Sequence, residues 1–174
     1  MVLFDPLMII AYIFPAYTTN GAPVLFVRFV KNPHPIDCGA SFIDGRRILG
    51  DGKTLEGLVS GLAAGILAGI ILSSLQTPLY RSPLEFVLLC VGAMLGDILG
   101  SFSKRRFGVP RGGAVPVLDQ LGFLILSIVT AWSVMGPPEW VDSSSIIFLF
   151  VLTFLLHLGT NAAAYLIGLK DKWY

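Results

Sequence analysis

"GAMLGDILGSFSKRR" (Gly92–Arg106) sets one carboxylate, Asp97, in a run that is otherwise oil-like, and closes it with Lys104, Arg105 and Arg106. The preceding stretch, Leu84 to Met94, is almost wholly apolar. A charged residue near the centre of a membrane helix costs roughly 2.5–3.5 kcal/mol on insertion scales. Asp97 therefore needs a partner or a task. The rest of the chain shows that the setting is a membrane: of 174 residues, 55% are hydrophobic and only 13% charged, and the mean hydropathy is +0.78. Soluble domains carry about 25% charged residues. The composition predicts an all-α integral membrane protein with a single domain over residues 1–174.

Five apolar stretches are long enough to cross a bilayer about 30 Å thick: Leu3–Val30, Leu55–Gln76, Leu84–Phe102, Leu118–Met135 and Ile146–Leu169. The joins Leu79–Pro83 and Gly136–Ser144 are short, whereas Lys31–Thr54 and Ser103–Val117 are longer and charged. Five spans put those two long loops on the same side as the C-terminus. Of the 12 lysines and arginines, Arg81 alone falls on the other side. The positive-inside rule then places the N-terminus outside and both long loops and the C-terminus in the cytoplasm. The N-terminal "MVLFDPLMII" lacks a basic n-region, so no cleavable signal peptide is expected. The net charge of +1 leaves no global basic field for nucleic acid. Cys38 and Cys90 fall in a polar loop and an apolar run, with no metal-type spacing, and no structural disulfide is expected.

Two spans carry small residues every fourth position: Gly57, Gly61, Gly65 and Gly69 in the second, and Gly92, Gly96 and Gly100 in the third. Such ridges let another helix approach closely, within the chain or across a homodimer seam. The first span is punctuated by Pro15 and by Asn20-Gly-Ala-Pro23. These residues should break or kink the helix, and a break at membrane depth is tolerated where it borders protein or a water-filled cavity. Asn20 is the polar candidate for a pocket there; a plain proline kink is the alternative.

A third helix continued to Gly108 would set Asp97, Ser101, Lys104, Arg105 and Gly108 on one stripe, with the glycines on another. Asp97 and Lys104 would lie about 10 Å apart along the axis, roughly the length of a triphosphate. Asp119, in "PVLDQLGF", should return toward that stripe on an antiparallel neighbour, across a connection carrying Arg111. Carboxylates with water and phosphate oxygens suit Mg²⁺, and nearby lysines and arginines can offset phosphate charge. An Asp–Lys or Asp–Arg pair that merely joins two helices is the alternative.

A second cluster, "DGRRILGDGKTLEG" (Asp44–Gly57), supplies Arg46, Arg47 and Lys53 among glycines that allow backbone to approach an anion. It is not a Walker A loop, because Arg47 stands where a glycine is required and no strand precedes it. Thr54, followed by Glu56 and Gly57, reads as a capped helix start, with Glu56 expected beside Lys53. An ordinary loop anchored by positive charge is the competing interpretation. His157 and Asn161 share a helix face, as interhelical hydrogen-bonding residues do. His34 reads as loop, and Trp132, Trp140, Trp173 and Tyr174 as interfacial aromatics.

"GDGKTLEG", "GDILGSFSKRRFGVPRGGAVPVLDQLGF", "PIDCGASFIDGRRILG" and "HLGTNAAAYLIGLK" together resemble the CDP-archaeol synthases, archaeal CTP:2,3-di-O-geranylgeranylglyceryl-1-phosphate cytidylyltransferases, nearly end to end. The chain also looks like a shortened relative of the CDP-diacylglycerol synthase family. That family's "KTWEG" is matched by Lys53, Thr54, Glu56 and Gly57, with Leu55 for Trp. Its acidic, Ser, Lys-Arg, Asp signature is matched by Asp97, Ser101, Lys104, Arg105 and Asp119. The signature's further carboxylate, three residues after Asp119, is Gly122 here.

The resemblance implies transfer of CMP from CTP to an isoprenoid glycerol-phosphate lipid, with release of pyrophosphate, at the cytoplasmic face of the cell membrane. Asp97 and Asp119 would hold Mg²⁺, with a second metal ion in question because of Gly122. Lys104, Arg105 and Arg111 would be catalytic. Lys53, Thr54, Glu56, Ser101, Arg46 and Arg47, together with Asn20, would bind substrate. The rival is a polytopic transporter with an intramembrane charged site, although five spans show no evident inverted repeat. A CDP-alcohol phosphotransferase is excluded, since Asp44-Gly45-Arg46-Arg47 is followed by Ile48 and Leu49 instead of Ala-Arg.

Overall fold

The computed structural model describes residues 5–75, 79–110, 113, 115 and 118–166. Five helices follow in order: α1 (Pro6–Phe26), which ends in a 3-10 turn at Val27–Phe29, α2 (Leu55–Ser73), α3 (Pro83–Arg106), α4 (Leu118–Met135) and α5 (Ser143–Leu166). Among the described residues there is no named strand, only two isolated bridges, Pro35 with Thr54 and Ser41 with Arg47, which fold the loop between α1 and α2 back on itself. Four helices, α2 to α5, contain windows long and apolar enough to cross a membrane. In α1 the prolines and the polar run Thr18–Gly21 dilute the apolar content. Its 21 residues still reach about 31 Å at 1.5 Å per residue.

Helix α1 is not broken. It runs as one α-helix through Pro15 and Pro23, contrary to the expected interruption. Pro15 cannot donate to Ala11, whose carbonyl instead accepts the Tyr80 hydroxyl at 3.0 Å. Pro23 likewise leaves the Thr19 carbonyl free of its helical donor, and that oxygen lies against Gly61 of α2. Polar backbone released in an apolar environment must be paired, as the Ala11 oxygen is by Tyr80.

The bundle has an inverted burial pattern. Helix α2 buries only Gly57, Gly61, Gly65 and Gly69, while Val59, Leu67, Ile70 and Ile71 are exposed. Lipid tails are as apolar as leucine, so close backbone approach holds the helices together where water exclusion cannot. A Cβ at Gly61 would stand 2.6 Å from the Thr19 carbonyl, and one at Gly65 2.7 Å from the Pro15 carbonyl. On α3, a Cβ at Gly92 would stand 2.6 Å from Cα of Ser127, and one at Gly96 2.7 Å from Cα of Phe123. The most extensive helix contacts are accordingly α3 with α4 and α1 with α2. These glycine ridges pack against neighbours within the chain.

Helix α5 packs on α4 and α1, with His157 against the Phe123 ring and the Thr153 and Tyr17 hydroxyls 2.6 Å apart. At the bundle end where α3 begins, Glu85 is fully buried. It accepts from the Arg81 guanidinium at 2.6 Å and the Tyr12 hydroxyl at 3.0 Å. Arg81 also caps the end of α4 at the Met135 and Gly136 carbonyls. Trp132 and Trp140 both meet Tyr12 here. Cys38 and Cys90 are free thiols.

Replacing Gly96 by Ala should destabilise the protein by about 1–3 kcal/mol, because the new methyl meets backbone that cannot move aside. Gly159, in α5, has open space where a Cβ would go, so Gly159→Ala should be neutral or slightly stabilising. Thermal melting in detergent of the two variants beside the parent checks this; equal midpoints would show that the glycine contact is not what holds α3 to α4.

Candidate active site

The positive end of the bundle is where α1 and α3 finish and α2 and α4 begin. Helix α3 stops at Arg106, two residues short of the expected stripe. Gly108 takes φ +69°, and the Val109 amide reaches back to the Lys104 carbonyl at 3.0 Å, a C-terminal closure that uses a left-handed glycine. Asp97, Ser101, Lys104 and Arg105 remain on the helix, and Gly108 leaves it. Antiparallel α4 then brings Asp119 back, as its position in the sequence implies. Gly96 lies against the Gly122 carbonyl and Gly100 near Leu118, so the segment of α3 that carries Asp97 packs on the segment of α4 that carries Asp119.

Both acids hold a lysine. Lys53 Nζ lies 2.5 Å from Asp97 Oδ2, tying the start of α2 to the middle of α3. Lys104 Nζ lies 2.8 Å from Asp119 Oδ1, tying α3 to α4. The other Asp119 oxygen accepts the Val115 amide at 2.9 Å. These four side chains are between 20% and 33% exposed, so they face solvent at the edge of the apolar bundle. Thr54 caps α2 by accepting the Gly57 amide at 3.1 Å, as its sequence context suggests, and thereby fixes the backbone beside Lys53. Lys53, Thr54, Gly57, Asp97, Pro23 and Met94 help line a cavity of about 40 Å³. Ligand pockets usually measure about 300–1,000 Å³, so with Lys53 paired to Asp97 this cavity is too small for a nucleotide.

Several expected residues stand elsewhere. Glu56 does not join Lys53: it pairs with His34, accepting the backbone amide at 2.9 Å, with Nδ1 at 2.6 Å. Glu56 lines a separate apolar groove with Phe26, Val30, Leu55, Val59 and Ser60. The reason is helical: residue 53 precedes the cap and residue 56 is in the first turn, on another side. Asn20 is half-buried and does not line that cavity, which α1 reaches through Pro23. Arg111 lies outside the described residues. Ser101 is buried on α3. The Arg105 Nε is buried without a hydrogen-bond partner among the described residues.

Arg46 and Arg47 are engaged in holding the loop. Arg47 forks Asp37, with contacts of 2.6 and 3.3 Å, and reaches Asp51 at 2.7 Å. Asp37, its side chain 1% exposed, also accepts the amides of Gly39, Leu49 and Gly50. The Arg47 guanidinium, backed by those amides, holds the Asp37 carboxyl well below the usual carboxylate range against the opposing effect of burial. Arg46 lies over Gly108 and caps the Arg106 carbonyl at 2.6 Å. Arg106 returns the contact: it donates to the Arg47 carbonyl at 2.6 Å, pairs with Asp44 at 2.5 Å, and stacks over Phe42 and Phe102. Asp37, Asp44, Phe42, Arg106 and His34 were not singled out by sequence reasoning as functional. The turn-forming Asp37-Cys-Gly and Asp44-Gly pairs were the available signal for their loop role.

Asp97 and Asp119 supply hard oxygen donors that each already hold a cationic group, which is the chemistry a divalent cation of the Mg²⁺ type would need. No group of three or more His, Cys, Asp or Glu side chains placed to hold a metal occurs among the described residues. A metal here would therefore complete its shell with water and phosphate oxygens, as Mg²⁺ commonly does.

A family model described as "CarS-like: CDP-archaeol synthase" matches residues 2–174. The chain belongs to the CDP-archaeol synthase family. It is 40% identical to the CDP-archaeol synthase of Pyrobaculum arsenaticum, over 97% of this chain and 98% of the relative. It is 42% identical to that of Thermococcus onnurineus, over 92% of each. A solved structure described as an intramembrane enzyme for archaeal membrane lipids biosynthesis superposes with a TM-score of 0.75 at 36% identity, covering 90% of this chain and 94% of that one. The transporter alternative is not favoured by this membership.

Asp37→Asn should cut amide protection in the 39–50 loop at least tenfold, since hydrogen bonds to a charged group are worth about 1.5–3 kcal/mol each. The depressed Asp37 value sets the sign of the pH effect. Its stabilisation is fully present above the unfolded carboxylate value of about 3.9 and is lost as pH falls through the lower folded value. Loop opening in the parent, followed by hydrogen exchange corrected for intrinsic rates, should accordingly be flat from pH 5 to 8.

Proposed function

We propose that the protein transfers the CMP moiety of CTP to 2,3-di-O-geranylgeranylglyceryl phosphate, forming CDP-archaeol and pyrophosphate. One observation carries the assignment beyond family membership: two acid–lysine pairs, Lys53–Asp97 and Lys104–Asp119, meet at one end of the bundle. A phosphate oxygen of the lipid attacks the α-phosphorus of CTP, and the bond to the β-phosphate oxygen breaks as pyrophosphate leaves. Such transfers ask the protein mainly for positioning and charge stabilisation. Bound Mg²⁺ would neutralise triphosphate charge and orient its oxygens.

Asp97 and Asp119 are the carboxylates that would hold it. Gly122 sits in the α3–α4 contact, so no carboxylate from that position supports a second ion. Lys53, Lys104 and Arg105 face the charge that builds on the α-phosphate and the leaving group, with Arg111 from the following loop. Thr54 and Ser101 shape the site, while Arg46 and Arg47 serve it by fixing the loop that carries Lys53. The whole chain, 1–174, acts as one catalytic unit.

The five helices all span the cell membrane, α1 included, with the N-terminus outside. The active site lies at the cytoplasmic face, where CTP is available and the lipid phosphate emerges from the bilayer. The concentration of lysine and arginine at that end, with Arg81 opposite, supports this orientation.

The test is pyrophosphate release by purified protein given CTP, Mg²⁺ and the geranylgeranylated glycerol phosphate. Release should require both CTP and lipid and should not occur with ATP or GTP. Asp97→Asn, with an unchanged melting profile, should lower kcat at least 100-fold. Full activity in that variant would remove Asp97 from the metal site, and lipid-independent release would overturn the assignment.

A further inference from the structure

We propose that Lys53 and Lys104 are exchangeable counter-ions: each neutralises a metal-binding carboxylate in the ligand-free protein and transfers to phosphate oxygen when metal and nucleotide arrive. The inference rests on the metal site proposed above. The two pairs have the same form: one ammonium against one carboxylate oxygen, Lys53 on Asp97 Oδ2 and Lys104 on Asp119 Oδ1, at the partly solvated lip of the bundle. A divalent cation and an ammonium repel one another, so a metal bound at either carboxylate weakens that carboxylate's hold on its lysine.

The side-chain chemistry suits withdrawal. A lysine is a point charge on a four-carbon stem with freely rotating donors. The nearby arginines that hold structure are tied differently. Arg47 is forked between two carboxylates and Arg106 between a carboxylate, two carbonyls and two rings. The carboxylates, in contrast, stay put when released: Asp97 is on the rigid middle of α3, and Asp119 keeps its Val115 amide bond. The small cavity between Lys53 and Asp97 would widen as the lysine swings away. Metal and nucleotide binding would then be coupled in sign, since metal frees the two ammoniums and triphosphate gives them a new partner.

Mn²⁺ binding to the full-length protein in nanodiscs, read by the electron paramagnetic resonance of free Mn²⁺ without nucleotide, separates exchange from its rivals. Lys53→Gln and Lys104→Gln should each bind Mn²⁺ more tightly than the parent, by about three- to fivefold if the lost pair was worth up to about 1 kcal/mol, while calorimetry should find CTP in excess Mg²⁺ bound at least tenfold more weakly. Lys53→Arg and Lys104→Arg keep charge and pairing, and should bind Mn²⁺ more weakly because a guanidinium holds a carboxylate through two donors. Glutamine variants with unchanged or weaker Mn²⁺ binding would overturn the exchange and leave the lysines as phosphate contacts or structural ties. If Asp97→Asn and Asp119→Asn leave Mn²⁺ binding as in the parent, it is the carboxylate metal site that fails, and the exchange falls with it.

Discussion

The arrangement at the acid–lysine end of the bundle depends on how closely α3 and α4 approach. At Gly92 and Gly96 a single methyl group would run into the backbone of the opposite helix, and this contact sets the spacing of the acids that follow it. Asp97 is the next residue after Gly96, and Asp119 sits one turn before Gly122, whose carbonyl Gly96 touches. In a bilayer the helices gain little from hiding leucines, so contact without side chains is the available way to hold the two acid-bearing helix segments together. The exposed aliphatic shell of α2 and α5 is the complement of that arrangement.

A second level of order comes from the loop ahead of α2. It has almost no regular structure, yet Asp37 gathers three amides and a guanidinium, and Arg106 and Arg46 exchange caps across the end of α3. The loop is thus internally braced and docked on the end of α3. Lys53 inherits its position from this loop on one side and from the Thr54 cap on the other.

Much of this was legible in the residues. The five helices, the glycine ridges, the Thr54 cap and the antiparallel return of α4 along α3 all follow from short-range periodicity, which a single sequence displays directly. The errors share a cause. Glu56 was expected beside Lys53 because the two are close in sequence, but the cap lies between them and turns them to different surroundings. Pro15 and Pro23 were expected to break or kink α1 because the groups that meet the freed Ala11 and Thr19 carbonyls, the Tyr80 hydroxyl and the close face of Gly61, are distant in the chain. Arg46 and Arg47 look like phosphate ligands until Asp37 and the end of α3 are brought to them, and no local pattern announces that meeting.

The reach of the Asp44–Arg106 pair, 62 residues, has a consequence for biogenesis. The loop is synthesised well before the residue that closes it, and α2 and α3 must both be threaded into the bilayer in between. At roughly 5–20 residues per second of synthesis, the loop waits about 3–12 seconds for Arg106. During that interval Asp37 and Arg47 can already meet, since they are ten residues apart. The loop can therefore take its local fold early, while its docking, and with it the assembled site, must follow insertion of the hairpin.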